Sequence, residues 1–145
     1  MPSLCGVSFL LPLCHGQHEH HRPAKEHLET VSANGELVVC RNGQLGLLRL
    51  LSNPAVMQSS VCTTDQAWKV YDTMMSDDRF GFRGEPPGME TKLRELTHRF
   101  TVSPKLWQDA YLAAFAVTAG LRLVTFDRGF RRFKGLDSLV LTPKE

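Results

Sequence analysis

Short apolar runs alternate along the chain with segments in which apolar residues recur at helical spacing. The runs at 36–40 and 121–126 are flanked by turn residues and predict strands that are buried on both faces. The apolar opening at 4–14 predicts a strand followed by a short helix, 77–88 a loop or short strand, and 138–141 a last strand. Helices are predicted near 24–31, 45–51, 64–75, 89–100 and 104–119. Because strands and helices alternate, the pattern predicts an α/β fold with a parallel sheet wrapped by helices.

The last third of the chain carries the most informative local pattern. Ser103 is predicted to be the N-cap of a helix that has a proline in its first turn and ends at Gly120. Asp109 therefore lies near the start of this helix, and Asp127 directly follows the strand at 121–126. Ligand sites of open α/β sheets lie beyond the carboxyl ends of the parallel strands. The two carboxylates are therefore predicted to share one cleft.

Two carboxylates in one cleft predict a site for a divalent cation. For either acid alone, helix capping or a surface salt bridge would be the commoner explanation, so the joint placement carries the argument. Mg²⁺ is satisfied by one or two carboxylates together with water and phosphate oxygens. Such a cation lowers the pKa of a bound water, which suits hydrolysis of a phosphodiester. Asp109 and Asp127 are thus the candidate catalytic and metal-binding residues.

Basic residues cluster just after Asp127 and are interleaved with two phenylalanines. They form either a solvated face or a rim that guides RNA into the cleft, and the sequence leaves both possibilities open. Arg49, the polar exception in the apolar segment 45–51, belongs to the same group of candidates. The candidate RNA-binding residues are Arg49, Arg128, Arg131, Arg132 and Lys134.

Composition limits the function classes further. The 145 residues are 42% hydrophobic, which predicts one domain over 1–145 with a substantial core. The 17 basic residues nearly balance the 15 acidic ones, so any nucleic-acid surface must be local. No apolar run reaches the roughly 20 residues that span a bilayer. A cytoplasmic protein without membrane association is therefore expected.

Cysteine and histidine spacing argues against a transition-metal site. The four cysteines at 5, 14, 40 and 62 form no CxxC pair, which favours reduced thiols over a zinc knuckle or a disulfide scaffold. The histidines at 15, 18, 20 and 21 are dense, but no HExxH motif or matching His/Cys set completes a closed site. A solvated entry to the following helix is the preferred interpretation of this segment.

Two runs in the segment from Trp107 to Leu136 form a specific motif, namely Asp109-Ala110-Tyr111-Leu112-Ala113-Ala114 and Thr125-Phe126-Asp127-Arg128-Gly129-Phe130. This segment resembles PIN-domain ribonucleases of the VapC toxin type. The run Gly46-Leu47-Leu48-Arg49-Leu50-Leu51-Ser52-Asn53-Pro54 is similar to the same subfamily. The resemblance implies a three-layer α/β/α sandwich with a central parallel sheet and endonucleolytic RNA cleavage that depends on Mg²⁺ or Mn²⁺. It also implies a cognate antitoxin protein and, by analogy, a homodimer. The family's third and fourth acids correspond to Asp109 and Asp127, and its neighbouring hydroxyl corresponds to Thr125.

The chain departs from this family at the other acidic positions. Gly6 stands where the family's first aspartate is expected, and the second acid falls in or next to 44–46, where Gln44 is the nearest polar residue. Gly129 stands at a further acidic position. An alternative function is therefore a degenerate PIN domain that binds RNA or an antitoxin-like partner with little or no nuclease activity. A third possibility is a structural or regulatory dimer.

Overall fold

Five short parallel strands form the centre of the fold. The computed structural model describes residues 1–101 and 103–142. The strands are β1 (Ser3–Cys5), β2 (Leu37–Val39), β3 (Phe80–Phe82), β4 (Arg122–Thr125) and β5 (Ser138–Val140). They pair in the order β3-β2-β1-β4-β5, and every pair is parallel. The predicted strands are confirmed, including the strand that was one of two options for 77–88.

Helices cover both faces of this sheet. They are α1 (Val7–Cys14), α2 (His21–Glu29), α3 (Arg41–Leu51), α4 (Pro54–Met57), α5 (Thr64–Met75), α6 (Met89–Thr97) and α7 (Leu106–Ala119). One core cluster joins the sheet to α1, α2, α3 and α5, and a second joins it to α6 and α7. The three-layer α/β/α sandwich is therefore confirmed. In the ranges 1–101 and 103–142, none of the helices combines the length and hydropathy that a bilayer span requires.

Successive side chains of a strand point alternately into these two core clusters, because neighbouring residues of a pleated strand face opposite sides of the sheet. Leu4 and Leu123 pack towards α6 and α7, whereas Cys5 and Val124 pack towards the opposite layer. All four side chains are fully buried. Burial on both faces explains why these strands are continuous apolar runs rather than alternating ones.

Local sequence signals set several helix ends. Thr63 and Gln66 form a capping box at the start of α5, where each side chain accepts a hydrogen bond from the other residue's backbone N–H. Gly120 ends α7 in the left-handed conformation with φ of 69°, as predicted. The predicted N-cap at Ser103 is wrong, because α7 begins at Leu106 and Ser103 contributes only its carbonyl to a preceding turn. Pro104 lies in that turn rather than in the helix.

Two large apolar side chains on the helices are exposed to solvent rather than packed in the core. Leu45 on α3 has 56% of its surface exposed, and Trp68 on α5 has 45% exposed. Each of these helices buries one face only, so a helix that is apolar almost all round still leaves apolar side chains in water. The exposed Leu45 lies on the side of α3 that borders a surface cleft.

The order of the strands in the sheet determines where that cleft lies. The strand β1 pairs with β2 on one side and with β4 on the other, so the order reverses at the centre of the sheet. Connections that leave β1 and β4 at their carboxyl ends therefore diverge and leave a crevice between them. Gly6 follows β1 and Asp127 lies just beyond β4 at this crevice.

We predict that Gly46→Ala destabilises the protein through the contact between α1 and α3. A Cβ atom at Gly46 would lie 2.6 Å from Val7 Cγ2, and the β-branched valine has little rotamer freedom to move away. The expected loss is about 1–3 kcal/mol of unfolding free energy in urea denaturation.

Gly43→Ala in the same helix is the matched control. A Cβ atom there would meet Leu10 Cδ1 at 3.5 Å, an ordinary contact, so this variant should be neutral or slightly stabilising. Adding Val7→Ala should recover part of the stability lost in Gly46→Ala. Equal stability of the two alanine variants would contradict the proposed steric conflict.

Candidate active site

A cleft of about 430 Å³ opens at the carboxyl ends of β1 and β4. Its walls come from α1, from α3, from the start of α7 and from the segment that follows β4. Asp109 and Asp127 both line it, so the two carboxylates that the sequence placed in one cleft are brought together there. They are the acids among its lining residues.

Asp109 is held in the first turn of α7 and is largely buried. Its side chain is 13% exposed, and Arg132 Nη2 donates a hydrogen bond to its Oδ2 at 3.1 Å. Burial raises the pKa of Asp109, and the negative charge of Asp127 raises it further, while Lys105 and Arg132 oppose both effects. The ionised carboxylate therefore depends on neighbouring positive charge.

Asp127 is fixed by the turn that follows β4. Its Oδ1 accepts a hydrogen bond from Gly129 N at 2.8 Å, and its backbone N–H donates to Thr125 Oγ1 at 3.0 Å. Its Oδ2 lies 3.6 Å from Lys105 Nζ. One carboxylate oxygen thus shapes the turn, and the other remains available towards the cleft.

Thr125 lies beneath the site rather than in it. Its side chain is fully buried, and its Oγ1 is 2.8 Å from Ser8 Oγ. Ser8 Oγ in turn accepts a hydrogen bond from Phe126 N at 3.0 Å. The prediction of Thr125 as a catalytic residue is therefore corrected, because its hydroxyl orients Asp127 and does not line the cleft. Ser8 is the hydroxyl residue that lines it.

The positions of the two missing acids differ in their geometry. Gly6 is buried at the end of β1, where an added Cβ atom would lie 3.5 Å from Thr125 Oγ1, beside the cleft. Gln44 is buried elsewhere, and its Oε1 accepts a hydrogen bond from Arg41 Nη1 at 2.6 Å. The cleft is lined instead by Asn42, which lies on the same face of α3 as Gly46. Asn42, rather than Gln44, is the neutral polar residue that α3 presents to the site.

The predicted basic residues divide into two groups. Arg49 lines the cleft and Arg132 contacts Asp109, but Arg128, Arg131 and Lys134 are exposed and are not among the lining residues. Sequence reasoning missed Lys105, which lines the cleft and pairs with Asp127. Its position four residues before Asp109 at the start of a helix was the signal that could have found it.

The histidine-rich segment flanks the cleft without forming a metal site. His20 stacks on Phe126 with ring centroids 4.7 Å apart, and His21 Nδ1 lies 2.8 Å from the carbonyl oxygen of Pro12. Packing of these rings against α1 and the end of β4 corrects the interpretation of a solvated helix entry. A smaller cavity of about 300 Å³ extends from Asp127 to His18 and Glu19. Over 1–101 and 103–142, no group of three His, Cys, Asp or Glu residues could hold a metal ion.

The donor set of the cleft fits a metal ion only in part. Mg²⁺ takes one or two carboxylates from a protein, and its other ligands are then water and phosphate oxygens. Both carboxylates already pair with a basic side chain, at 3.1 Å for Asp109 and 3.6 Å for Asp127. The residues therefore suit a divalent cation that arrives together with a phosphate, and they do not form a closed cage.

Comparison with known proteins decides the family. The PIN-domain model matches residues 7–136. The chain belongs to the PIN-domain family. This PIN domain is 40% identical over 142 residues to Ribonuclease VapC41 of Mycobacterium tuberculosis, which covers 95% of the chain and 97% of the relative. The resemblance to VapC-type PIN domains is therefore confirmed. The match to the PIN-domain model begins at residue 7, one residue after Gly6.

Solved structures share the fold of this PIN domain at low sequence identity. VapBC2 from Rickettsia felis, in a complex with a DNA fragment from its promoter, aligns over 98% of this chain and 100% of that chain. Its TM-score is 0.74 at 15% identity. Mycobacterium tuberculosis VapC20, a sarcin-ricin loop cleaving toxin, aligns over 92% of this chain and 97% of that chain, with a TM-score of 0.64 at 16% identity. At such identities the likeness supports the fold alone.

We predict that Asp109→Asn raises the melting temperature near pH 7. The pKa of Asp109 is raised in the folded protein, so its ionised form costs stability at every pH above the folded pKa. The amide removes this cost, and Arg132 remains partly open to water when its partner is lost. The gain should shrink as the pH falls towards the ordinary aspartate pKa of about 4, because the wild-type carboxyl is then protonated.

The measurement is thermal unfolding of both proteins between pH 4 and pH 8. Asp137→Asn, at an exposed position before β5, is the control and should leave the melting temperature unchanged. A lower melting temperature for Asp109→Asn at pH 7 would show that its ion pair outweighs the cost of burial.

Proposed function

We propose that this PIN domain is the ribonuclease toxin of a toxin–antitoxin pair and hydrolyses phosphodiester bonds within RNA chains. The observation that carries the proposal is the convergence of Asp109 and Asp127 in one cleft at the carboxyl ends of β1 and β4. The 40% identity to Ribonuclease VapC41 over nearly the full length of both proteins supports it. A cytoplasmic location is part of the same proposal.

The residues of the cleft have distinct roles in this reaction. Asp109 and the Oδ2 atom of Asp127 would hold Mg²⁺ or Mn²⁺ together with a phosphate oxygen of the RNA. When bound, such a cation supplies a water of lowered pKa and neutralises charge that develops on the phosphate. Arg49 and Lys105 line the same cleft and attract the phosphate backbone. Thr125 and Gly129 keep Asp127 in place through its backbone N–H and its Oδ1.

An antitoxin protein is the proposed partner. The VapBC complexes among the structural neighbours share this fold, which supports a partner of that kind. A homodimer is also proposed, because Leu45 and Trp68 leave large apolar side chains exposed on α3 and α5.

A degenerate PIN domain is the second candidate function, and Gly6 is the observation that favours it. The residue at the end of the central strand β1 has no side chain to offer the cleft. Each carboxylate that is missing weakens the attraction for a divalent cation in a partly desolvated site. The fold and its partner surfaces would remain while hydrolysis is slow or absent.

We predict that the purified chain cleaves a mixed-sequence single-stranded RNA when Mg²⁺ or Mn²⁺ is titrated in. Asp109→Asn and Asp127→Asn should each reduce cleavage by about 100-fold or more, because each removes a charge on which the cation depends. Asp137→Asn, prepared identically, should cleave like the wild type. Cleavage that survives in both active-site variants would show that the activity arises elsewhere or from a contaminant.

We further predict that Gly6→Asp increases cleavage. The added Cβ atom would meet Val124 O at 3.3 Å and Thr125 Oγ1 at 3.5 Å, so its accommodation requires a shift of a few tenths of an ångström. An increase of about tenfold or more is expected, since a third carboxylate strengthens attraction for the cation. Asn42→Asp should add to it, whereas Gln44→Glu should not, because Gln44 does not line the cleft.

The comparison of parent and variant separates the two candidate functions. A parent that is already active supports the nuclease. A wild-type chain without cleavage activity, together with an active Gly6→Asp variant, supports the degenerate PIN domain. A loss of activity in Gly6→Asp would mean that the glycine is needed for its close approach to β4.

A further inference from the structure

We infer that the cleft binds an RNA phosphate without any divalent cation, through Lys105, Arg132 and Arg49. This inference rests on the proposed function in taking single-stranded RNA as the ligand. It assigns to three side chains of this chain the neutralising role that a metal ion would otherwise perform during binding. The metal ion would then be needed for hydrolysis and not for association.

The balance of charge in the cleft is the first observation. Two carboxylates, Asp109 and Asp127, face three basic side chains that line the cleft or contact its acids. The site therefore carries an excess of one positive charge at neutral pH when both acids are ionised. A cleft with that excess attracts a phosphate, whereas a cleft of several unpaired carboxylates repels it until a cation binds.

The packing around the cleft maintains this excess. Gly6 contributes no side chain, and a side chain at Gly46 would collide with Val7. The amide Asn42 lines the cleft. Glu19 lies in the adjoining cavity, with its carboxylate 3.6 Å from His20 Nε2. The glycines and the amide thus hold positions from which further acids could have reached the cleft.

Arg132 is held beside an acid of the cleft, although it is not itself one of the cleft's lining residues. Its guanidinium donates one hydrogen bond to Asp109. The guanidinium lies 5.0 Å from the ring centre of Phe133 and 5.7 Å from that of Phe100. A guanidinium has five N–H donors, so several remain for an incoming phosphate oxygen. The aromatic contacts fix its plane, which reduces the entropy lost on binding.

Lys105 supplies a movable charge. Its side chain is 77% exposed, and its separation from Asp127 of 3.6 Å is long for an ion pair. A pair of this kind is weakly held, so the ammonium can turn to a phosphate while it remains near the carboxylate. Arg49 is exposed on the α3 side of the same cleft and completes the set.

The test measures binding of a fluorescein-labelled single-stranded RNA to the full chain by fluorescence anisotropy, in EDTA and in Mg²⁺ at matched ionic strength. The readings in Mg²⁺ are taken at times at which gel electrophoresis shows the RNA to be intact. The Kd in EDTA should lie within about threefold of the Kd in Mg²⁺. In EDTA, Asp109→Asn and Asp127→Asn should each tighten binding by about threefold or more, because each removes a repelling charge. Weaker binding of either variant, or a Kd that rises more than tenfold in EDTA, would overturn the inference.

Lys105→Gln is the main loss variant, since its exposed side chain has no packing to disturb. It should weaken binding in EDTA by about fivefold and reduce the slope of log Kd against log salt by about 0.7, the amount for one phosphate contact with a single strand. Lys69→Gln, at an exposed position of α5 that does not line the cleft, is the matched control and should change neither quantity. Equal losses in the two variants would mean that RNA follows the general basic surface, which overturns the assignment.

A test of Arg132 needs a conservative variant as well as a loss variant, because the side chain packs on two aromatic rings. Arg132→Lys keeps the charge and should retain most of the affinity, while Arg132→Gln should lose it, with equal melting temperatures verified for both.

The outcome of the binding assay can be distinguished from that of the cleavage assay. Binding in EDTA without cleavage in Mg²⁺ would contradict the proposed nuclease function and support metal-independent binding. Cleavage in Mg²⁺ without binding in EDTA would support the nuclease function and contradict metal-independent binding.

Discussion

The hydroxyls of Ser8 and Thr125 join the two strand ends on which the site is built. Their oxygens lie 2.8 Å apart, and together they accept the backbone N–H groups of Phe126 and Asp127. A backbone hydrogen bond from Gly6 N to Val124 O, 2.9 Å long, closes the same junction. All of these groups are buried or half-buried, so an unmatched partner would cost the full desolvation of a polar group. The direction in which the chain leaves β4, and with it the position of Asp127, follows from this network.

The network explains why the acids and the bases of the cleft must be considered together. Asp127 is fixed from below by Thr125, and Asp109 is fixed by burial in the first turn of α7. Both acids are held at the same cleft, so the repulsion between their charges has to be compensated there. Lys105 and Arg132 provide that compensation. Each pairs with the acid of the other segment, Lys105 with Asp127 and Arg132 with Asp109.

Sequence reasoning reached the acids because local rules place them. A strand exit and a helix start are both visible in the chain, and they fix Asp127 and Asp109 without tertiary information. It could not place Thr125, whose burial depends on Ser8, 117 positions earlier in the chain. It named Gln44 and did not find Asn42, because the rotation of α3 about its axis is set by packing, with Gly46 against Val7. The alternation of strands and helices was sufficient for the three-layer fold, while the start of α7 was misplaced by a turn at Pro104.

The absence of a side chain at Gly6 gains a physical meaning in this setting. A third carboxylate at the end of β1 would raise the pKa of Asp109 further unless a cation were already bound, since burial and Asp127 raise it now. A site with many acids is therefore held ionised by its metal, and a site with few acids can be held ionised by its own lysine and arginine. These are two solutions to one electrostatic problem. The geometry of Lys105 and Arg132 against two carboxylates is that of the second solution, and it makes affinity for the phosphate, rather than affinity for the metal, the property that the bare cleft provides.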